Sequence, residues 1–176
     1  PSPPKSPRIN GATVFGVRPG SPILFHLPVT GSRPMTYAAT GLPPGARLDS
    51  ATGELTGKVT GAGSYDITFH ASNAEGTADR AFRLVVGDTI GLTPPMGWNS
   101  YNLWGDQITQ KRMLETAKAM VSTGLIDHGW TYVNMDDGWQ GARGGTLHAL
   151  QPNPRRFPDM KGMIDDIHAM GLKVGI

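Results

Sequence analysis

Cysteine is absent from the 176 residues, which excludes disulfides, thiolate zinc sites and cysteine nucleophiles. Neither sign of charge dominates: 16 Lys and Arg against 14 Asp and Glu leave a net charge of +2, with no basic stripe of the kind that binds nucleic acid. No apolar run approaches the roughly 20 residues that a membrane-spanning helix needs. Charged residues make up only 17%, below the usual quarter. No Met and no charged-then-apolar leader opens the chain at Pro1, so any signal peptide is expected to have been removed or never included. Turn formers are what the chain has in quantity, with 24 Gly and 15 Pro. Beside an ordinary apolar content they point to many tight turns rather than to disorder. Residues 1–7 (PSPPKSP) hold four prolines and read as an extended linker that another segment precedes.

A change of period near Asp88 divides the remainder of the chain in two. Over residues 8–88, Ile23, Phe25, Leu27 and Val29 recur at every second position. Tyr65, Ile67, Phe69 and Ala71 do the same, with Ser64, Asp66, Thr68 and His70 on the opposite face. That period marks half-buried strands, and the Gly-, Pro- and Asn-rich stretches between them mark turns. About seven short strands in roughly 80 residues is the pattern of an immunoglobulin-like β-sandwich. Over residues 89–176 the order becomes strand, helix, strand, helix, strand, and all four Trp fall here. Leu114, Ala117, Val121 and Leu125 share one face of a helix that Asp106 is placed to cap. A second helix follows Pro158 with Met160, Met163, Ile164, Ile167 and Met170, and ends at Gly171. Residues 96–98, 131–135 and 172–176 are short and apolar, as buried parallel strands are. Trp98, Met135 and Val174 step by 37 and 39 residues. Eight such steps would take about 300 residues, near the size of a (β/α)8 TIM barrel. The fold class expected is therefore multidomain: an all-β sandwich, then the first βαβαβ part of a barrel.

Chemistry concentrates at the strand ends of the second half. Asp136 and Asp137 directly follow an apolar strand, where parallel α/β folds place their sites. Ionised carboxylates only accept hydrogen bonds, so the pair suits a ligand rich in hydroxyl donors, such as a sugar. Two other readings stand beside this one: a turn into Gly138 capped by one carboxylate, and a divalent-metal site, which would want further oxygen ligands that no neighbouring acidic residue supplies. Trp98, Tyr101 and Trp104 follow the first strand and Trp139 the second. Flat apolar faces beside carboxylates fit a pyranose, while core packing serves Trp104 and Trp139 equally well and accounts for Trp130. The run from Gly141 to Gly145 lacks the Lys-Ser/Thr of a phosphate cradle and reads as a flexible loop. His26 and His70 sit on polar strand faces, and His128, His148 and His168 have no metal-ligand spacing. Asp165 and Asp166 are helix neighbours that do not face one another. Ser100 lacks a nucleophile elbow. No metal and no cofactor are expected.

Four segments carry a resemblance: TPPMGWNSY (93–101), YVNMDDGW (132–139), RFPD (156–159) and HAMGLKVGI (168–176). In this order they closely resemble the start of the family 27 glycoside hydrolases, the melibiase-type α-galactosidases. GATVFGVRPG (11–20) and GLPPG (41–45) resemble the immunoglobulin-like domain that precedes the barrel in bacterial members. The resemblance implies a hydrolase that releases terminal α-linked galactose with retention, from an oligosaccharide or polysaccharide, with no nucleic-acid or membrane partner. It implies a secreted or periplasmic location. It assigns Asp136 and Asp137 to the galactose hydroxyls and Tyr101, where the family has Trp, to stacking on the sugar, with Trp98 just before it. Gly138 stands where many eukaryotic members have a cysteine. The family's nucleophile and acid/base lie beyond Ile176, so the chain is expected to carry no catalytic residue, to hold part of the sugar site and to be inactive alone. The alternative from another class is a noncatalytic extracellular carbohydrate-binding or spacer protein. Against that alternative, residues 13–86 show no clustered Trp or Tyr.

Overall fold

A computed structural model of the chain describes residues 4–176, so the linker residues Pro1 to Pro3 lie outside the described residues. The rest of that stretch is tied down. The Lys5 carbonyl accepts from the Ser32 amide at 2.8 Å and from the Asn73 side chain at 2.9 Å, and Pro7 is buried. The chain forms two compact units, one running to Pro95 and including Leu125–Trp130, the other comprising Met96–Gly124 and Thr131–Ile176.

The first unit is built from β1 (Arg8–Ile9), β2 (Val14–Val17), β3 (Pro22–His26), β4 (Val29–Thr30), β5 (Thr36–Thr40), β6 (Ala46–Leu48), β7 (Glu54–Lys58), β8 (Gly63–Asn73) and β9 (Gly76–Val86). One sheet has the order β2-β9-β8-β5 and the other β3-β7-β6, while β1 pairs with β4. Only the β2–β9 pairing is parallel in these sheets. The two-residue period works as expected along β8, where Ile67, Phe69 and Ala71 are buried. Asp66 and His70 point outward to Arg83 (2.9 Å) and Asp79 (2.7 Å) on β9. The sheets meet through phenylalanines: the ring centroid of Phe25 on β3 lies 4.8 Å from that of Phe82 and 6.3 Å from that of Phe69. Such tilted and offset aromatic contacts add to the area they bury.

His26 departs from expectation. It is buried, and among the described residues neither ring nitrogen has a hydrogen-bond partner. The segment Leu125–Trp130, which belongs to this unit, explains the burial: Asp127 lies 3.7 Å from His26 Nε2 and pairs with Arg33 at 2.8 Å, and its carbonyl accepts from the Asn10 side chain at 3.0 Å. Trp130 in the same segment is 40% exposed rather than part of a core.

The second unit contains β10 (Gly97–Asn99), α1 (Tyr101–Trp104), α2 (Gln110–Ser122), β11 (Tyr132–Asn134), β12 (Gln140–Gly144), β13 (Ala149–Pro152), α3 (Met160–Ala169) and β14 (Lys173–Gly175). Strands β10, β11 and β14 form a parallel sheet in that order. Helix α2 packs on α3 and β11, and α3 packs on β14. Three expectations are corrected. The cap of α2 is Thr109, whose hydroxyl accepts from the Arg112 amide; Ile108 is extended, so a helix cannot run back to Asp106. The buried stripe of α2 is Met113, Ala117 and Met120, while Val121 and Leu125 are exposed. Both stripes have helical spacing, and the sheet selects the one with the two methionines. Gly141 to Gly144 belong to strand β12, paired with β13, and Gly145 opens the turn between them. Among the described residues, no helix is long and apolar enough to cross a membrane.

Phe69 is 1% exposed at the centre of the phenylalanine cluster. Replacing it with Ala is expected to destabilise the first unit by about 3–5 kcal/mol. Urea unfolding followed by far-UV circular dichroism checks this; a loss below about 1 kcal/mol would show that the sheets are held elsewhere.

Candidate functional site

Register decides which side chains reach the sheet's working end. Asn99, Asn134 and Gly175 are paired in one row across β10, β11 and β14, and Trp98, Val133 and Val174 in the row before it. Neighbouring rows face opposite sides of a sheet. The Asn99 row opens into a cleft of about 630 Å³, lined also by Met135, Asp136, Asp137, Trp139 and Ile176. It lies at the C-terminal ends of parallel strands. A Cβ on Gly175 would overlap Asn134 Oδ1, so glycine there is what lets the Asn134 amide lie across β14.

The two aspartates are held in a ladder of short bonds. The Asp136 amide donates to Ser100 Oγ (2.9 Å), the Asp137 amide to Asp136 Oδ1 (2.8 Å) and the Gly138 amide to Asp137 Oδ1 (2.8 Å). Gln140 clasps the turn from the far side, its amide nitrogen donating to Asp137 Oδ1 at 2.5 Å and its Oε1 accepting from the Gly138 amide at 3.0 Å. Both aspartates are exposed. In each, Oδ1 is engaged within the turn and Oδ2 has no hydrogen-bond partner among the described residues. The turn-cap reading and the ligand reading are thus compatible, one for each oxygen. What the pair offers outward is two carboxylate oxygens, both able only to accept.

The aromatic residues expected at the site divide between the cleft and its surroundings. Tyr101, the first residue of α1, is 51% exposed and lies outside the cleft lining; it comes directly after the Asn99 and Ser100 pair, and its amide donates to Asn99 Oδ1 at 2.9 Å. Trp98 belongs to the row opposite Asn99 and does not line the cleft. Trp139 does line it, whereas Trp104 lies under the Arg112 guanidinium, 4.0 Å from the ring centroid. Residues that sequence reasoning passed over carry much of the geometry. Ser100, set aside as a nucleophile, is fully buried and receives the Asp136 amide. Asn99 and Asn134 face the cleft, and an Asn as the last residue of each short strand was the available signal. Among the described residues, no three His, Asp or Glu side chains converge as a metal would need.

A parallel βα domain with a carboxylate-edged cleft at its strand ends, accompanied by an immunoglobulin-like sandwich, is the class this fold and site define. Residues 93–176 match the family model described as "Alpha galactosidase A", and residues 6–87 the one described as "Putative Ig domain". Over residues 93–176 the chain is similar to the family 27 glycoside hydrolases, the melibiase-type α-galactosidases. A solved structure of a "putative alpha-galactosidase" from Bacteroides fragilis superposes with a TM-score of 0.92 at 41% identity, covering 98% of this chain and 37% of that one. A protein of Dictyostelium discoideum described as "Probable alpha-galactosidase" is 48% identical over 49% of this chain and 23% of its own length. The alpha-galactosidase of Coffea arabica is 42% identical over 57% of this chain and 27% of its own length. The chain therefore spans about a quarter of the length of these curated relatives.

Lys173 pairs with Tyr132 in the row two residues before Gly175, and its ammonium lies 4.9 Å from the centroid of the Tyr132 ring. Burial lowers its pKa from 10.5 to about 8. Between these values the unfolded chain holds a proton that the folded chain has released. Stability is expected to rise with pH through that window, by at most about 1.4 kcal/mol per pH unit. An NMR titration of the Lys173 side chain should have its midpoint near 8, and Lys173→Met should flatten the alkaline rise in unfolding free energy. A midpoint at about 10, as in an unperturbed lysine, would refute the burial.

Proposed function

We propose that the chain supplies the galactose-binding part of a retaining α-galactosidase that releases terminal α-linked galactose from oligosaccharides or polysaccharides outside the cytoplasm. The observation that carries this reading is the pair of outward, unpartnered Oδ2 atoms on Asp136 and Asp137, fixed at one end of a cleft. The hydroxyls of a sugar are donors, and hydrogen bonds to charged acceptors are the stronger kind. Tyr101 covers an apolar face of the ring, as the family resemblance implies. Trp98, on the opposite face of the sheet, supports the strand and takes no part in contact.

Asp136 and Asp137 bind and do not react. A retaining glycosidase needs two carboxyl groups on opposite sides of the scissile bond, about 5–5.5 Å apart. Asp136 and Asp137 are adjacent residues of one turn, each with an oxygen engaged in that turn, and both line the same cleft. The 176-residue chain is therefore expected to be inactive by itself.

The protein expressed from the complete reading frame is expected to hydrolyse an aryl α-galactoside. Asp137→Ala should lower kcat/KM about 10- to 100-fold, the loss of one charge-assisted hydrogen bond of about 1.5–3 kcal/mol. Tyr101→Ala should impair turnover more than Tyr132→Phe does. No hydrolysis of any α-galactoside by the complete protein would favour the noncatalytic binding or spacer reading, and unchanged kinetics in Asp137→Ala would leave that residue a turn cap only.

A further inference from the structure

Arg156 does something that its place in a surface turn does not require. It sits after β13, outside the cleft lining, and no carboxylate among the described residues lies within ion-pair range of it. Its guanidinium instead donates from one nitrogen, Nη1, to two backbone carbonyls: that of Asp106, in the loop after α1, and that of Gly138 at 2.9 Å, in the turn that carries the aspartates. Those loops touch directly at that spot. Gly138 has φ of 93°, and a Cβ on it would overlap the Asp106 carbonyl.

Arg156 is itself placed by bonds to both sides. Its own carbonyl accepts from the Gln110 amide at the start of α2 (2.9 Å). The turn that presents it is closed by Asn153, whose Oδ1 accepts from the Arg155 amide at 3.0 Å and whose amide donates to the Trp139 carbonyl at 2.8 Å. A planar guanidinium fixes the direction of its donors, which an ammonium on a flexible stem does not.

We infer that Arg156 is a positioning residue for the sugar site: by joining the Asp106 and Gly138 carbonyls it sets the gap between the loop that follows Tyr101 and the turn that holds Asp136 and Asp137. The inference rests on the galactose-binding reading above and deepens it. On that reading the turn carries the binding carboxylates, the loop holds the C-terminal end of the helix that Tyr101 opens, and neither reacts. Loosening the gap therefore raises KM and the inhibition constant of galactose, and leaves kcat comparatively intact.

The test uses the complete protein with Arg156→Lys and Arg156→Ala, measuring aryl α-galactoside kinetics, galactose inhibition and thermal melting. The expected result is a rise of about tenfold or more in both KM and the galactose inhibition constant, with kcat changed less than about threefold. Millimolar methylguanidinium should restore KM in Arg156→Ala. A merely structural role would lower the melting temperature and the active fraction, leaving KM as in the wild type, and that outcome overturns the inference. Hydrogen exchange on the wild type needs no variant to fold: galactose should slow exchange in residues 104–109 as well as in 136–140, and protection confined to 136–140 also overturns it. A wild type that neither turns over galactosides nor is inhibited by galactose would overturn the underlying functional reading instead.

Discussion

Two loops meet at Gly138 and Asp106 with no space for a side chain between them, and the rest of the cleft depends on that backbone contact. A residue with a Cβ would push the Asp106 carbonyl away, and a positive φ of 93° is strained for any side chain. With glycine there, the chain reverses immediately after the aspartates. That reversal brings Gln140 back across the turn to Asp137. It also leaves both carboxylates exposed at the end of β11 instead of folded down against α2.

Rigidity in the two units has different origins. In the sandwich it comes from apolar burial, with Phe25, Phe69 and Phe82 joining the two sheets and polar pairs such as Arg83 and Asp66 confined to the outside. The loops around the cleft bury only a few apolar side chains, Ile108 and Phe157 among them. They are ordered by side chains that bond backbone: Ser100 to the Asp136 amide, Arg112 to the Gln107 carbonyl, Arg156 to two carbonyls at once. Such bonds are individually modest. They act on specific backbone atoms, so each fixes direction in a way that a hydrophobic contact does not.

This difference explains what could be read from the sequence. Alternation of apolar residues is imposed by the pleat, so the strands at Ile23 to Val29 and Tyr65 to Ala71 were legible in outline, as was the parallel series after them. The buried face of α2 was not, because Leu114/Ala117/Val121 and Met113/Ala117/Met120 satisfy the same helical period and only the position of β11 separates them. Strand β12 was hidden for a related reason, since glycines mark flexible loops and paired strands alike until a partner is known. The surroundings of His26 were hidden because its neighbour Asp127 is about a hundred residues away in sequence. In the site, the aspartates were conspicuous by their place after an apolar strand. Ser100, Asn99 and Arg156 were not, since each works by bonding or facing something whose location only the fold determines.

Adjacency of the two aspartates then separates two chemical roles that composition alone leaves merged. Carboxylates that cleave a glycosidic bond must flank it, and so come from different strands. Carboxylates that hold a ring by its hydroxyls gain from standing side by side, because successive hydroxyls are themselves side by side. Binding through adjacent residues has a further requirement: the pair must not relax toward solvent or toward each other, since two like charges at this spacing repel. The ladder meets it by occupying one oxygen of each carboxylate with the amide of the next residue. Each amide offsets part of the charge and fixes the rotation of its carboxylate, and the second oxygen is left to point outward. A turn that caps itself is therefore the structural condition under which two neighbouring aspartates become a binding pair, and the capping and binding readings of this sequence describe one arrangement.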